Sequence, residues 1–276
     1  MHRPLIHQTL KWLVILIALT IMLFPLYWMV NTSLKPNAEV FQLPPAFYSE
    51  NWSFDAFRNL LATRPIGLYF LNSLIVASGT TIVSLILASL AAYGLTRFEV
   101  RIEPLIILSL LFIKMLPEAL LVVPFYGLIA KVGMLNSYIS LIAVYCSFAL
   151  PFAVWMLIGF FRVIPRDLDE AGVMDGANRF QTFWIVVLPL ARPGIVAVAM
   201  VTFLTAWNAY LWALVLTTDP NMYVLPVGIA TLKGEYQIQW NEMMAAAVIA
   251  VLPVLALYAV FERHLVAGIT AGAVKG

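Results

Sequence analysis

The stretch NSLIVASGTTIVSLILASLAAYGL, residues 72–95, contains no charged side chain. A helix needs about 20 apolar residues to cross ~30 Å of hydrocarbon. No water in that layer can satisfy a free backbone N–H or C=O, so a spanning segment must close its own hydrogen bonds. Thr80, Ser84, Ala88 and Ala92 recur every fourth residue, which puts them on one helix face. Small residues at that spacing let two helices approach closely, because lipid supplies no hydrophobic drive for association. The stretch therefore reads as a transmembrane helix with a seam for a neighbouring helix. A pathway wall is the other use for such a face.

Five more apolar stretches qualify as spans, at 12–30, 104–130, 138–161, 193–216 and 243–261, with 71–95 making six. Of the 276 residues, 63% are hydrophobic and 11% are charged. Soluble domains hold about 45–50% and about 25%. One packed core cannot hide that much apolar surface. A soluble enzyme, a disordered chain and a nucleic-acid binder are excluded, and a net charge of +2 implies no polyanionic partner. The first stretch is too long for a signal peptide and no A-x-A site follows it. Cys146 is the only cysteine, and His2, His7 and His264 lie far apart, so no disulfide framework or metal cluster is expected.

Lysine and arginine set the expected orientation. With the N-terminus inside, the inner segments hold Arg3, Lys11, Arg97, Arg101, Arg162, Arg166, Arg179, Arg192, Arg263 and Lys275. The outer segments hold Lys35, Arg58, Arg64, Lys131 and Lys233. That bias predicts both termini in the cytoplasm. It leaves two long outer loops, 31–69 and 217–242, and one long inner loop, 162–192.

Pro25, Pro117, Pro124, Pro151 and Pro253 interrupt the spans, and each favours a kink. Such kinks suit either a static bundle or one that opens and closes. Lys114 and Glu118 are one turn apart within 104–130. Charges inside a membrane pair or face water, so the two are expected to neutralise each other beside a cavity or to line a substrate route. Asn72, Tyr145, Trp207, Asn208 and Tyr210 add polar tips, suited to sugar rings or to an interfacial belt.

The inner loop reads RVIPRDLDEAGVMDGANRFQTFWIVVLPLARPG, residues 162–194. Pro165 can open a helix, and Asp167, Asp169 and Glu170 suit its positive N-terminal end. Gly176 can take a left-handed cap. Asn178 can cap a second helix with Phe180, Phe183, Trp184 and Val187 on one side, ended by Leu188-Pro189. The prediction is two short helices joined by a bend. Such a shape serves as a rigid knob for a cytoplasmic partner or as an ordinary interfacial helix, and the physics alone leaves both open.

The run Glu170-Ala171-Gly172, then Asp175-Gly176-Ala177, then Leu188-Pro189 and Pro193, resembles the EAA loop of ABC importer membrane subunits. Gly172 stands at the second Ala of that pattern and Val186 at its Ile. FLNSLIVA (70–77), AAYGLTRF (91–98), LPFAVWML (150–157), AWNAYLWAL (206–214) and VAGITAGAVKG (266–276) are similar to the carbohydrate-uptake class, in particular its smaller six-span permease of the maltose/oligosaccharide type. The resemblance implies an all-α membrane protein of the type I importer permease fold, with six transmembrane helices and a cytoplasmic coupling-helix loop. It further implies a second, non-identical permease, two ATPase subunits below and an extracytoplasmic solute-binding protein above.

The chain has no G-x-x-x-x-G-K-[ST] phosphate cradle, so ATP and Mg are expected in the partner ATPase, with no catalytic, metal or cofactor site in this subunit. In that scheme the loop seats in an ATPase cleft. Ala171, Gly172, Gly176 and Ala177 allow close approach, Glu170 and Asp175 accept hydrogen bonds, and Met174 and Phe180 anchor it. The tail 268–276 is expected to be flexible and to reach the ATPase seam or to hang free. Lys114, Glu118, Tyr145, Trp207, Asn208 and Tyr210 are the pathway candidates. A polyol or glycerol-phosphate importer is the nearest alternative. An ion-coupled transporter lacks the expected inverted repeat, and no span holds the clustered groups of an intramembrane enzyme.

Overall fold

The computed structural model describes residues 5–233 and 238–273, with side chains for 8–233 and 238–262. Its helices are α1 (Leu5–Ser33), α2 (Asn37–Val40), α3 (Asp55–Thr63), α4 (Ile66–Arg97), α5 (Glu103–Met115), α6 (Glu118–Lys131), α7 (Tyr138–Val163), α8 (Asp167–Met174), α9 (Arg179–Thr182), α10 (Leu188–Leu190), α11 (Arg192–Trp207), α12 (Leu211–Leu216), α13 (Leu225–Ala230) and α14 (Trp240–Ala273). A π-helical turn, Phe183–Val187, links α9 to α10. The chain divides into two compact units, Met1–Gly67 with Gly228–Leu252 and Leu68–Val227 with Pro253–Gly276.

Among the described residues, four continuous helices are long and apolar enough to cross a membrane: Gln8–Ser33, Ile66–Arg97, Tyr138–Val163 and Trp240–Glu262. Two bent pairs pass together, Glu103–Met115 with Glu118–Lys131 at 95° and Arg179–Leu190 with Arg192–Trp207 at 79°, so six crossings result if each pair is one. This corrects two expected spans. The stretch 104–130 is not one rod: Pro117 has no N–H to donate, and Leu116 before it turns extended at ψ 129. The stretch 193–216 breaks at Asn208–Tyr210, between α11 and α12. The second bent pair also takes in 179–190, which the sequence assigns to the loop. Pro25, Pro124, Pro151 and Pro253 sit inside continuous helices, so among the span prolines only Pro117 marks a break.

In the first unit, the α1 end is tied to the loop that follows. Asn31 Nδ2 donates to Phe47 O at 2.8 Å, and Tyr27 OH donates to the same carbonyl. Lys35 is buried; its Nζ donates to Ala46 O and lies 5.1 Å from the Trp28 ring centroid. Glu39 accepts from Ser49 Oγ at 2.6 Å and from Asn51 Nδ2 at 3.0 Å. Those two hydrogen bonds hold its carboxyl below the ordinary value of 4.5.

In the second unit, α7 is central, with residues such as Leu141, Val144, Ala153, Leu157 and Phe161 buried along its length. The seam predicted on α4 faces it. Thr80, Ser84, Ala88 and Ala92 are all fully buried. Ser84 Oγ lies 3.4 Å from Cys146 Sγ, and that thiol lies 3.6 Å from Thr80 O. The core runs from Ala88, Ala92 and Tyr93 of α4 through Leu157 and Phe161 of α7 to Phe183 and Val187 of the π turn. The backbone of α14 stays helical to Ala273, so the flexible tail expected from 268 onward is helical over most of its length. Val274–Gly276, and the side chains from 263 on, lie outside the described residues.

Candidate functional site

The loop 162–192 forms a fixed elbow. Helix α8 carries Asp167, Asp169 and Glu170 in its first turn. It ends in a Schellman cap: Ala177 N–H donates to Gly172 O and Gly176 N–H to Val173 O, each at 3.0 Å. Gly176 takes the left-handed conformation that this cap needs, at φ +89°. Asn178 then opens α9 with a capping box. Its Oδ1 accepts from Gln181 N at 2.9 Å, and its own N–H donates to Gln181 Oε1 at 2.8 Å. The predicted bend and both caps are therefore present.

Gly172 lies where α8 meets the second arm. A Cβ there would stand 3.2 Å from Thr182 Oγ1 and 3.3 Å from its Cγ2. The glycine at the second Ala of the EAA pattern thus belongs to a tight helix contact. The second arm departs from the prediction. The π turn rotates its aromatic face, so Phe183 and Val187 are buried while Phe180 and Trp184 stay exposed, at 61% and 49%. Phe180, Phe183, Trp184 and Val187 therefore do not share one side.

The elbow is clamped to the end of α4, which the sequence does not disclose. Arg97 Nε stands 2.9 Å from Asp169 Oδ2, with both side chains 3% exposed. The approach lies off the N–H axis, so the contact is an ion pair rather than an aligned hydrogen bond. Arg97 Nη2 also donates to Ile164 O at 3.1 Å, and Arg166 Nη2 donates to Thr96 O at 2.8 Å. Tyr93 OH donates to Arg179 O at 3.1 Å, and its ring packs 4.9 Å from that of Phe183. Glu170, Ala171, Met174, Asp175, Gly176 and Phe180 point outward from this anchored base, while Gly172 and Ala177 are half-buried. Met174 is 87% exposed.

The pathway candidates only partly converge. Glu118 and Tyr145 line a cavity of about 30 Å³ with Thr80, Phe148, Thr205 and Trp212. Trp212 Nε1 donates to Glu118 Oε2 at 3.1 Å, and Tyr145 OH lies 3.4 Å from Ala209 O. The expected Lys114–Glu118 pair does not form. One-turn spacing brings side chains together only in a continuous helix, and the break at 116–117 separates these two. Lys114 is exposed. Trp207 is buried between Phe70 and Phe203, at centroid distances of 5.5 and 5.7 Å. Asn208 Nδ2 donates back to Leu204 O at 2.8 Å, and Tyr210 is exposed. Thr80 and Trp212, both missed as pathway candidates, join the cavity; the α4 seam pointed to the first and nothing to the second. Among the described residues no group of three or more His, Cys, Asp or Glu is placed to hold a metal.

Residues 5–271 match the family described as binding-protein-dependent transport system inner membrane component. The chain is 34% identical over 254 residues to the sulfoquinovosyl glycerol transport system permease protein SmoH of Agrobacterium fabrum, covering 92% of this chain and 89% of that one. It is also 34% identical to the trehalose/maltose transport system permease protein MalG of Thermococcus litoralis, over 98% of this chain and 99% of the relative. Its fold is shared by a chain of a bacterial ABC transporter involved in the import of the acidic polysaccharide alginate, with a TM-score of 0.81, 20% identity and coverage of 96% and 99%. The chain accordingly belongs to the family of binding-protein-dependent transport system inner membrane components.

Proposed function

We propose that this chain is one of two non-identical permease subunits of an ABC importer for a saccharide, probed best with disaccharides and short oligosaccharides. Two partner ATPase subunits bind and hydrolyse ATP with Mg, and an extracytoplasmic solute-binding protein delivers the solute. The names of the similar permeases support the saccharide class. The excess of Lys and Arg in the segments assigned inside supports a cytoplasmic elbow and cytoplasmic termini.

The elbow is the ATPase-docking element, and one observation carries this reading: an exposed apolar tip, Met174 and Phe180, on a doubly capped bend. Met174 and Phe180 enter the ATPase cleft. Glu170 and Asp175 accept charge-assisted hydrogen bonds at its rim. Ala171, Gly176 and Ala177 keep the backbone close to it, while Gly172 packs inward against Thr182 and holds the two arms together. Swinging the bundle between access states from 1:99 to 99:1 takes about 5.5 kcal/mol of differential binding, which a loose contact cannot transmit. Glu118 and Tyr145 are the pathway residues favoured by their shared cavity.

The test combines Glu170→Ala with Asp175→Ala and follows ATPase co-purification and uptake of radiolabelled trehalose and maltose. Loss of the ATPase from a permease that still inserts supports the reading. Full retention with full uptake refutes the docking role. Stimulation of the assembled ATPase by a loaded binding protein only with a non-saccharide solute refutes the substrate class.

A further inference from the structure

The elbow joins its two neighbouring long helices through broken backbone. Ile164 is extended between α7 and α8, at ψ 120. On the other side the chain bends by 79° before α11. Neither connection is a continuous helix, so neither is a stiff lever. The stiff connection is lateral, to the end of α4. Arg97 reaches both Asp169 in α8, at 2.9 Å, and Ile164 O in the α7–α8 connection, at 3.1 Å. Arg166 reaches back to Thr96 O at 2.8 Å.

From this geometry we infer that the buried Arg97–Asp169 pair is the transmission joint of the subunit: it makes α4 and the elbow move as one body, so that displacement of the elbow is passed to the membrane-spanning seam of α4. This rests on the docking role proposed for the elbow. Arg97 and Asp169 are positioning residues and touch neither solute nor nucleotide. A buried ion pair is a weak source of stability, because desolvation offsets most of the attraction and apolar residues of similar volume replace it without loss. What the pair fixes is direction. The planar guanidinium spans two acceptors at once, a geometry that an ammonium cannot reproduce. The α4 face behind it bears Ala88 and Ala92, both fully buried, so a shift of the α4 end is felt along the seam.

The test uses the full transporter, with its second permease, ATPases and solute-binding protein, in lipid vesicles. Arg97→Met with Asp169→Leu removes both charges together and leaves no orphan. The expected result is a drop of at least about tenfold in trehalose or maltose uptake per ATP hydrolysed, which corresponds to about 1.4 kcal/mol. ATPase activity without solute stays within about twofold, and a Met174→Cys cross-link to the ATPase persists. Uptake per ATP equal to the parent overturns the joint. If the double variant does not assemble, Arg97→Lys decides: a lower ratio supports the joint and an unchanged ratio overturns it. Absence of the Met174→Cys cross-link in the otherwise unaltered transporter defeats the docking role instead, and the two failures are distinguishable.

Discussion

Trp212 Nε1 donates to Glu118 Oε2 at 3.1 Å; Glu118 is the first residue of α6 and Trp212 lies in the first turn of α12, the two helices that follow the two breaks. The contact joins the broken segments to each other beside the cavity that Tyr145 and Thr80 line. Trp212 is buried, so removing its acceptor leaves an indole N–H unsatisfied. Glu118→Ala is expected to cost about 1–3 kcal/mol in thermal unfolding of the detergent-solubilised protein. Glu118→Gln keeps an acceptor and should cost less than about 1 kcal/mol. Equal losses for the two would show that the hydrogen bond is not what matters there.

Gly172 and Thr182 predict a coupled pair. Alanine at 172 gains about 1 kcal/mol of helix propensity. It also presses a Cβ to 3.2 and 3.3 Å from Thr182, whose Oγ1 is held by Asn178 O at 3.1 Å. Gly172→Ala is therefore expected to destabilise by about 1 kcal/mol net. Thr182→Ser removes the Cγ2 contact. A double-mutant cycle should return a favourable coupling of about 0.5 kcal/mol or more. Additive effects would mean that the two arms yield freely.

Gly176 separates backbone strain from bulk. It has φ +89° and no atom within 4 Å of a Cβ built on it. Gly176→Ala is expected to destabilise the bend by about 1–2 kcal/mol through the left-handed backbone alone. Gly176→Trp carries the same strain and adds an indole to the exposed surface. Only the tryptophan variant should lose ATPase co-purification, and equal retention in both would remove position 176 from the docking face.

Glu39 gives the loop after α1 a pH dependence. Its carboxyl is held below 4.5 by Ser49 and Asn51, which favour the charged form. The folded loop is thus fully stabilised by this group above pH 4.5 and loses that contribution as pH falls through the lowered folded value. Proteolysis within 37–54 should accelerate on acidification, and Glu39→Gln should flatten the change. An unchanged pH profile in Glu39→Gln would assign the effect to other groups.

Much of this was legible in residue order. A four-residue spacing of small side chains located the α4 seam, and Asp175-Gly176-Ala177-Asn178 located the bend with both caps. These are local signals, decided within one or two turns. The Arg97–Asp169 pair was not legible, because nothing local distinguishes an arginine that reaches a distant buried acid from one that faces lipid headgroups. Pro117 was visible, but proline alone does not separate a kink from a 95° break, since Pro124, Pro151 and Pro253 sit in unbroken helices. The break at 208–210 carries no proline or glycine. The Lys114–Glu118 expectation failed for the same reason: one-turn spacing means proximity only while the helix continues.

The most direct measurement is site-specific cross-linking from Met174→Cys and Ala177→Cys in the assembled transporter, with a short thiol-reactive reagent and ATPase subunits that carry single cysteines around their cleft. The account predicts capture of an ATPase polypeptide, stronger from 174, which is the more exposed position at 87%. No ATPase adduct from either position, in a transporter that is assembled and active, would contradict it.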